Sequence, residues 1–210
     1  MALWVYIYSY FWEFTSQQIS IIVIPMALAG LILPPVMAQL TDGREKKALA
    51  ITGLLGAMAI NVVPISLRLF GFFPENGTAT LFWTMLIAGF FETILFLMFD
   101  ICWRSMIADL AERTELETGR RNEGVISSTV TFATKCAGAL GTFIAGILLS
   151  LIAFPTETAV GDVKPDTIAA LGLIYGPLVF LIWMGVVLSI NRYGISRLRY
   201  HEILERLARE

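Results

Sequence analysis

The chain has 210 residues, of which 57% are hydrophobic and only 15% charged, with a net charge of −2 and a mean hydropathy of +0.73. Soluble domains carry about a quarter charged residues, so too little polar material is present to coat a globule. That balance argues against a soluble enzyme, and the net charge offers no attraction to a phosphate backbone; the composition is that of an integral membrane protein.

Met1–Trp12 is apolar and aromatic but shorter than the ~20 residues needed to cross hydrocarbon. Glu13, Thr15, Ser16, Gln17 and Gln18 close it, and it lacks the basic leading region and cleavage site of a secretory signal. It reads as the last half of a span whose first half is missing, with a short interfacial helix as the alternative. Ile19–Leu40 follows as an uncharged span interrupted by Pro25, Gly30, Pro34 and Pro35. Such breaks free backbone carbonyls, which suits a moving or cavity-lining helix, or else a static kink. Ala48–Leu67 is a second uncharged span. Asn76-Gly77-Thr78 has the form of a glycosylation sequon but reads as a turn beside Pro74. Ala79–Trp103 is a span that carries Glu92 and Asp100. Ser105–Gly124 reads as a loop of alternating charge, a cluster of ion pairs between helix ends. Val125–Phe154 carries Lys135 alone, and Ala137, Gly141 and Ala145, beside Gly138, Thr142 and Gly146, form rows that let helices approach closely. Thr167–Ile190 is an uncharged fifth span. In the tail, Ile195, Leu198, Ile203, Leu204 and Leu207 alternate with arginines, as in an amphipathic helix lying on the inner leaflet.

The expected fold is thus an all-α integral membrane protein with five full transmembrane helices plus a truncated first one. Orientation follows from the basic residues. Arg44, Lys46, Lys47, Arg104, Arg113, Arg120, Arg121, Arg192, Arg197, Arg199, Arg206 and Arg209 fall on one side, leaving Arg68 and Lys164 on the other and Lys135 within a span. This bias places the C-terminus and the Asp42–Lys47 and Ser105–Gly124 segments in the cytoplasm. Trp12 and Trp83 are expected at the outer boundary, and Trp103 and Tyr193 at the inner one. Cys102 and Cys136 lie in apolar runs and read as small buried residues. A lone His201 cannot build a metal site.

The membrane-embedded charges are the candidate site. A charge near the bilayer centre costs at least ~2.5–3.5 kcal/mol and normally faces a partner or a cavity. Lys135 lies about 16 Å along its helix from Gly124, and Glu92 about 18 Å from Arg104, at 1.5 Å per residue. Their depths match, so they read as a structural ion pair, a polar site in a solute pathway, or both. Asp100 is nearer the membrane surface and is expected to pair with an arginine of the following segment. The H-E-x-x-H helix and the G-x-S-x-G elbow of intramembrane or hydrolytic enzymes are both missing from the sequence.

Several motifs together carry a resemblance. Ala108-Asp109 through Glu115, Thr118-Gly119-Arg120-Arg121 and Glu123-Gly124 resemble the cytoplasmic loop of the glycoside–pentoside–hexuronide:cation symporters, the melibiose-permease-like branch of the major facilitator superfamily. Lys135 with Ala137-Gly138 resembles that family's penultimate helix. Tyr10-Phe11-Trp12-Glu13 resembles the end of its seventh helix, and Asp42-Gly43-Arg44-Glu45-Lys46-Lys47 its loop between helices eight and nine. Glu112-Arg113 departs from the family's usual Asp-Tyr.

The resemblance implies the C-terminal half of a twelve-helix transporter. Residues 1–190 would be helices seven (partial) to twelve, and 191–210 a cytoplasmic amphipathic tail. It implies cation-coupled symport of a sugar or glycoside by alternating access in the bacterial inner membrane. Lys135 and Glu92 would be substrate-binding, and Asp100, Asp109, Glu115, Arg120, Arg121 and Glu123 a cytoplasmic gating network. The coupling cation, sodium or proton, is expected at the missing N-terminal half, with no cofactor bound by this one. The partners would be the solute, the bilayer and the missing half; the chain alone is expected to be inactive. An amphipathic lipid as solute, or a non-transporting protein that is truncated or dimerises, are the alternatives.

Overall fold

The structure is a computed structural model that describes residues 2–41, 44–120, 122–155, 158 and 160–192. Among the described residues every regular element is helical: α1 (Ala2–Tyr6), a π-helical turn (Ile7–Phe11), α2 (Ser16–Thr41), α3 (Lys46–Leu69), α4 (Ala79–Thr118), α5 (Glu123–Leu151) and α6 (Pro165–Asn191). Helices α3 to α6 are long and apolar enough to cross a membrane, and the Ser16–Ile32 part of α2 forms a shorter apolar stretch. The five expected full spans are therefore all present as helices, in order. The cytoplasmic tail and Tyr193 lie outside the described residues.

Local chemistry sets the helix ends. Thr15 and Gln18 cap α2 reciprocally: Gln18 N–H donates to Thr15 Oγ1 at 3.3 Å, and Thr15 N–H to Gln18 Oε1 at 2.9 Å. This is the pairing of a capping box. At α4 the Thr78 hydroxyl accepts from Leu81 N–H at 3.3 Å. Its C-terminus closes on Gly119, which takes the left-handed conformation (φ 63°) and donates to the Glu115 carbonyl at 2.8 Å. Pro165 opens α6, where a missing N–H costs nothing.

Two expectations are corrected here. The Ser105–Gly124 segment is not a loop: α4 runs on to Thr118, making a 40-residue helix of about 60 Å. Cys102, Met106 and Asp109 are all buried, and their spacing of four and three residues makes one stripe. The buried stripe thus continues past Trp103 and carries the helix with it. The second correction concerns the N-terminal segment. It does not stand apart as a short separate helix: Ile7, Tyr8, Phe11 and Trp12 are core residues, with Trp12 only 1% exposed. Trp83 and Trp103 are exposed.

Helix α3 is central, packed on α4 and α6, while α2 packs on α4 and the π-helical turn on α6. Close approaches need glycine. A Cβ at Gly53 would stand 2.7 Å from the Leu95 carbonyl oxygen of α4, and one at Gly172 of α6 would stand 2.5 Å from the Phe11 ring. Two apolar clusters result. The larger joins Ile7, Phe11, Trp12, Ile65, Leu81, Leu171 and neighbours; the smaller joins Ala50, Leu54, Cys102, Met106 and Ile190. Helix α5 is different. It meets α1 and α4, and Ala145 and Leu149 are its buried residues. Of its small-residue rows Ala145 packs within this chain, whereas Gly138, Gly141 and Gly146 have nothing within 4 Å of an added Cβ.

Candidate functional site

Helices α3, α4 and α6 and the π-helical turn enclose a small polar cleft that borders the larger apolar cluster. It is lined by Tyr8 and Trp12, by Asn61 on α3, by Gly89 and Glu92 on α4, and by Tyr175 on α6. The space is about that of a single water molecule. Asn61 Nδ2 donates to Glu92 Oε1 at 3.0 Å. Asn61 Oδ1 is buried and has no hydrogen-bond partner. Tyr8 and Tyr175 are within electrostatic reach of Glu92, and Trp4 stacks on Tyr8 with ring centroids 4.2 Å apart.

The tertiary arrangement does not bring Glu92 and Lys135 together as an ion pair. Glu92 takes the Asn61 amide as its partner, whereas Lys135 is exposed on α5, and among the described residues it makes no ion pair. Nor do their depths match as expected: α4 runs on to Thr118, so Glu92 lies 26 residues from the end of α4 and Lys135 12 residues from the start of α5. Asn61, Tyr8 and Tyr175 are the residues that sequence reasoning missed. An amide in the middle of the Ala48–Leu67 span was the available signal, since a polar side chain there needs a partner. The two tyrosines carried no such mark among so many aromatics.

A second polar cluster lies at the Lys46 end of α3. Lys46 Nζ donates to both oxygens of Asp109, at 2.8 and 2.9 Å, and Asp109 is only 4% exposed. Lys47 Nζ donates to the Asn191 carbonyl at 2.6 Å, tying the start of α3 to the end of α6. Asp100 accepts from Arg104 at 2.8 Å, so its arginine partner is on its own helix rather than in a loop. Arg113, Glu115 and Glu123 each have an interaction partner. Glu112 Oε2 is buried without a hydrogen bond, and Arg120 is exposed. Arg121 lies outside the described residues.

At the opposite end, Arg68 donates to the Pro74 carbonyl at 3.0 Å and Asn76 Nδ2 to the Phe11 carbonyl at 3.2 Å. Asn76 thus anchors a turn onto the N-terminal segment, as the turn reading of its sequon expects. Tyr10 donates its hydroxyl to the Thr158 carbonyl at 3.3 Å.

Long apolar helices enclosing a buried polar cleft define a polytopic membrane protein of the transporter type. The chain belongs to the family described as MFS/sugar transport protein, whose profile matches residues 1–197. It is 31% identical over 140 residues to an uncharacterized symporter of Synechocystis sp., a match that covers 63% of this chain and 24% of the relative. The matched stretch spans about a quarter of that relative's length. No solved structure matches the chain.

Proposed function

We propose that the chain supplies the C-terminal six-helix half (residues 1–190) of a cation-coupled symporter for a sugar or glycoside, working by alternating access in a bacterial inner membrane. Residues 191–210 form the amphipathic tail on the cytoplasmic leaflet. Solute is held between this half and an N-terminal one, and the coupling cation, sodium or proton, binds chiefly in the latter. Lys135 donates to the solute, and Glu92 with Asn61 forms the polar floor behind it. The Lys46–Asp109 pair acts with Asp100, Glu115, Arg120, Arg121 and Glu123 as the cytoplasmic gate. Membership of the MFS/sugar transport protein family and similarity to a protein named as a symporter support this reading.

The observation that carries it is Lys135. A cation in an apolar helix requires a partner or a watery path, yet this one makes no ion pair among the described residues and sits on an open helix face. That is the disposition of a side chain that meets solute across an interface. The test is Lys135→Ala in the transporter containing this chain. Solute uptake falls at least tenfold while membrane insertion is unchanged; uptake at the wild-type rate overturns the assignment. Purified alone in liposomes, the chain shows no saturable, gradient-driven uptake, and such uptake would refute the reading as a half. For orientation, a cytoplasm-specific reporter is active near Arg120 and after Glu210 and silent near Asn76 or Asp162.

A further inference from the structure

Glu92 is a carboxyl in an apolar membrane helix whose polar partner is an amide, not a cation. The Asn61 amide gives it one donor, at Oε1. The same amide leaves its own oxygen, Oδ1, buried without a hydrogen bond, although the Tyr175 hydroxyl also reaches this side chain. An ionised carboxylate can only accept, whereas a protonated one also donates. In hydrocarbon a lone ionised carboxylate is very costly, and an unsatisfied amide oxygen adds about 1–3 kcal/mol. One proton on Glu92 removes the first penalty and supplies, beside the Asn61 amide, a donor of the kind its oxygen lacks.

We propose that Glu92 is a proton site of this chain: it rests as the neutral acid, its O–H serving the Asn61 oxygen, and exchanges that proton with water entering the cleft. The O–H bond forms on a carboxylate oxygen from a solvent proton and breaks to return it to solvent, with no redox change. Every element around the cleft agrees. The π-helical turn brings the Tyr8 phenol and α6 the Tyr175 phenol, both neutral at ordinary pH. Helix α1 brings Trp4 against Tyr8. Helix α2 brings Ile22 and Met26 beside Gly89, and α3 the Asn61 amide. Lys135 is on the exposed face of α5. The proposal deepens the transporter reading and rests on it only for any use of the proton in transport; it adds to this half a coupling-type site that the resemblance places in the other.

Difference infrared spectroscopy of the whole chain in lipid bilayers tests it without any uptake measurement. At neutral pH the wild type shows a carboxylic-acid C=O band that shifts in D2O and is lost in Glu92→Gln. Asn61→Leu and the smaller change Asn61→Ser both move that band to higher frequency, since the amide no longer bonds the acid. Raising the pH bleaches the band reversibly. The proposal is overturned by a neutral-pH spectrum with no band assignable to Glu92, by a band unmoved in both Asn61 variants, or by one that does not titrate. Bleaching by sodium at constant pH would make the cleft a metal-cation site and refute it equally. Wild-type uptake by Lys135→Ala refutes the solute site and leaves these spectra unaffected, so the two failures are told apart.

Discussion

Helices α4 and α5 each carry an ionisable residue within an apolar run, yet tertiary packing treats the two oppositely. On α4 the residue is folded into a cleft between three neighbours and bonded to Asn61. On α5 it stands on a face that this chain leaves open. The glycines tell the same story. Those of α3 facing α4 are pressed against Leu95, while those of α5 meet nothing. Small residues in a membrane helix therefore do not by themselves say which neighbour they serve. One set is used within this chain, and the other meets no neighbour among the described residues.

Substitutions at the two kinds of site sharpen this contrast, and thermal unfolding in detergent reads them all. The largest loss comes at the α3–α4 contact. Gly53→Val drives a branched side chain toward a backbone oxygen that cannot move aside, and overpacking of this kind costs about 3 kcal/mol. The same change at Gly141 on α5 leaves stability within about 0.5 kcal/mol, as expected away from packed sites. Equal losses at both positions would show that α5 is packed as tightly as α3.

Breaking the Lys46–Asp109 pair comes next. Removing one member of a buried pair costs about 3–5 kcal/mol. Lys46 retains 32% side-chain exposure and can turn to water, so Asp109→Ala is expected to cost about 2 kcal/mol. Loss of the Thr78 cap follows, at about 1 kcal/mol for Thr78→Ala. The smallest effect is that of Arg104→Ala. Its side chain is 75% exposed, and exposed pairs contribute about 0–1 kcal/mol. An Arg104 effect exceeding that of Asp109 would reverse the order of the two salt bridges and the burial argument behind it.

Hydropathy and residue spacing suffice to determine the membrane class, the five long apolar helices and their order. These depend on composition and on the fixed rise of a helix, both local quantities. The motifs from Asp42 to Lys47, from Ala108 to Gly124 and around Lys135 likewise suffice to point to the sugar-transporter family, which the match over residues 1–197 bears out. Packing alone decides what each helix does with its faces. Alternating charge from Ser105 to Gly124 reads as a loop until Met106 and Asp109 are seen buried beneath it. Ile7, Tyr8, Phe11 and Trp12, in a segment too short to span, become core where Gly172 lets the Phe11 ring seat against α6. Asn61 acquires its role only when α3 meets α4, for a hydrogen bond between residues 31 positions apart has no trace in local sequence. Rise along a helix is written residue by residue; the direction in which a side chain finds its partner is settled by the helices that surround it.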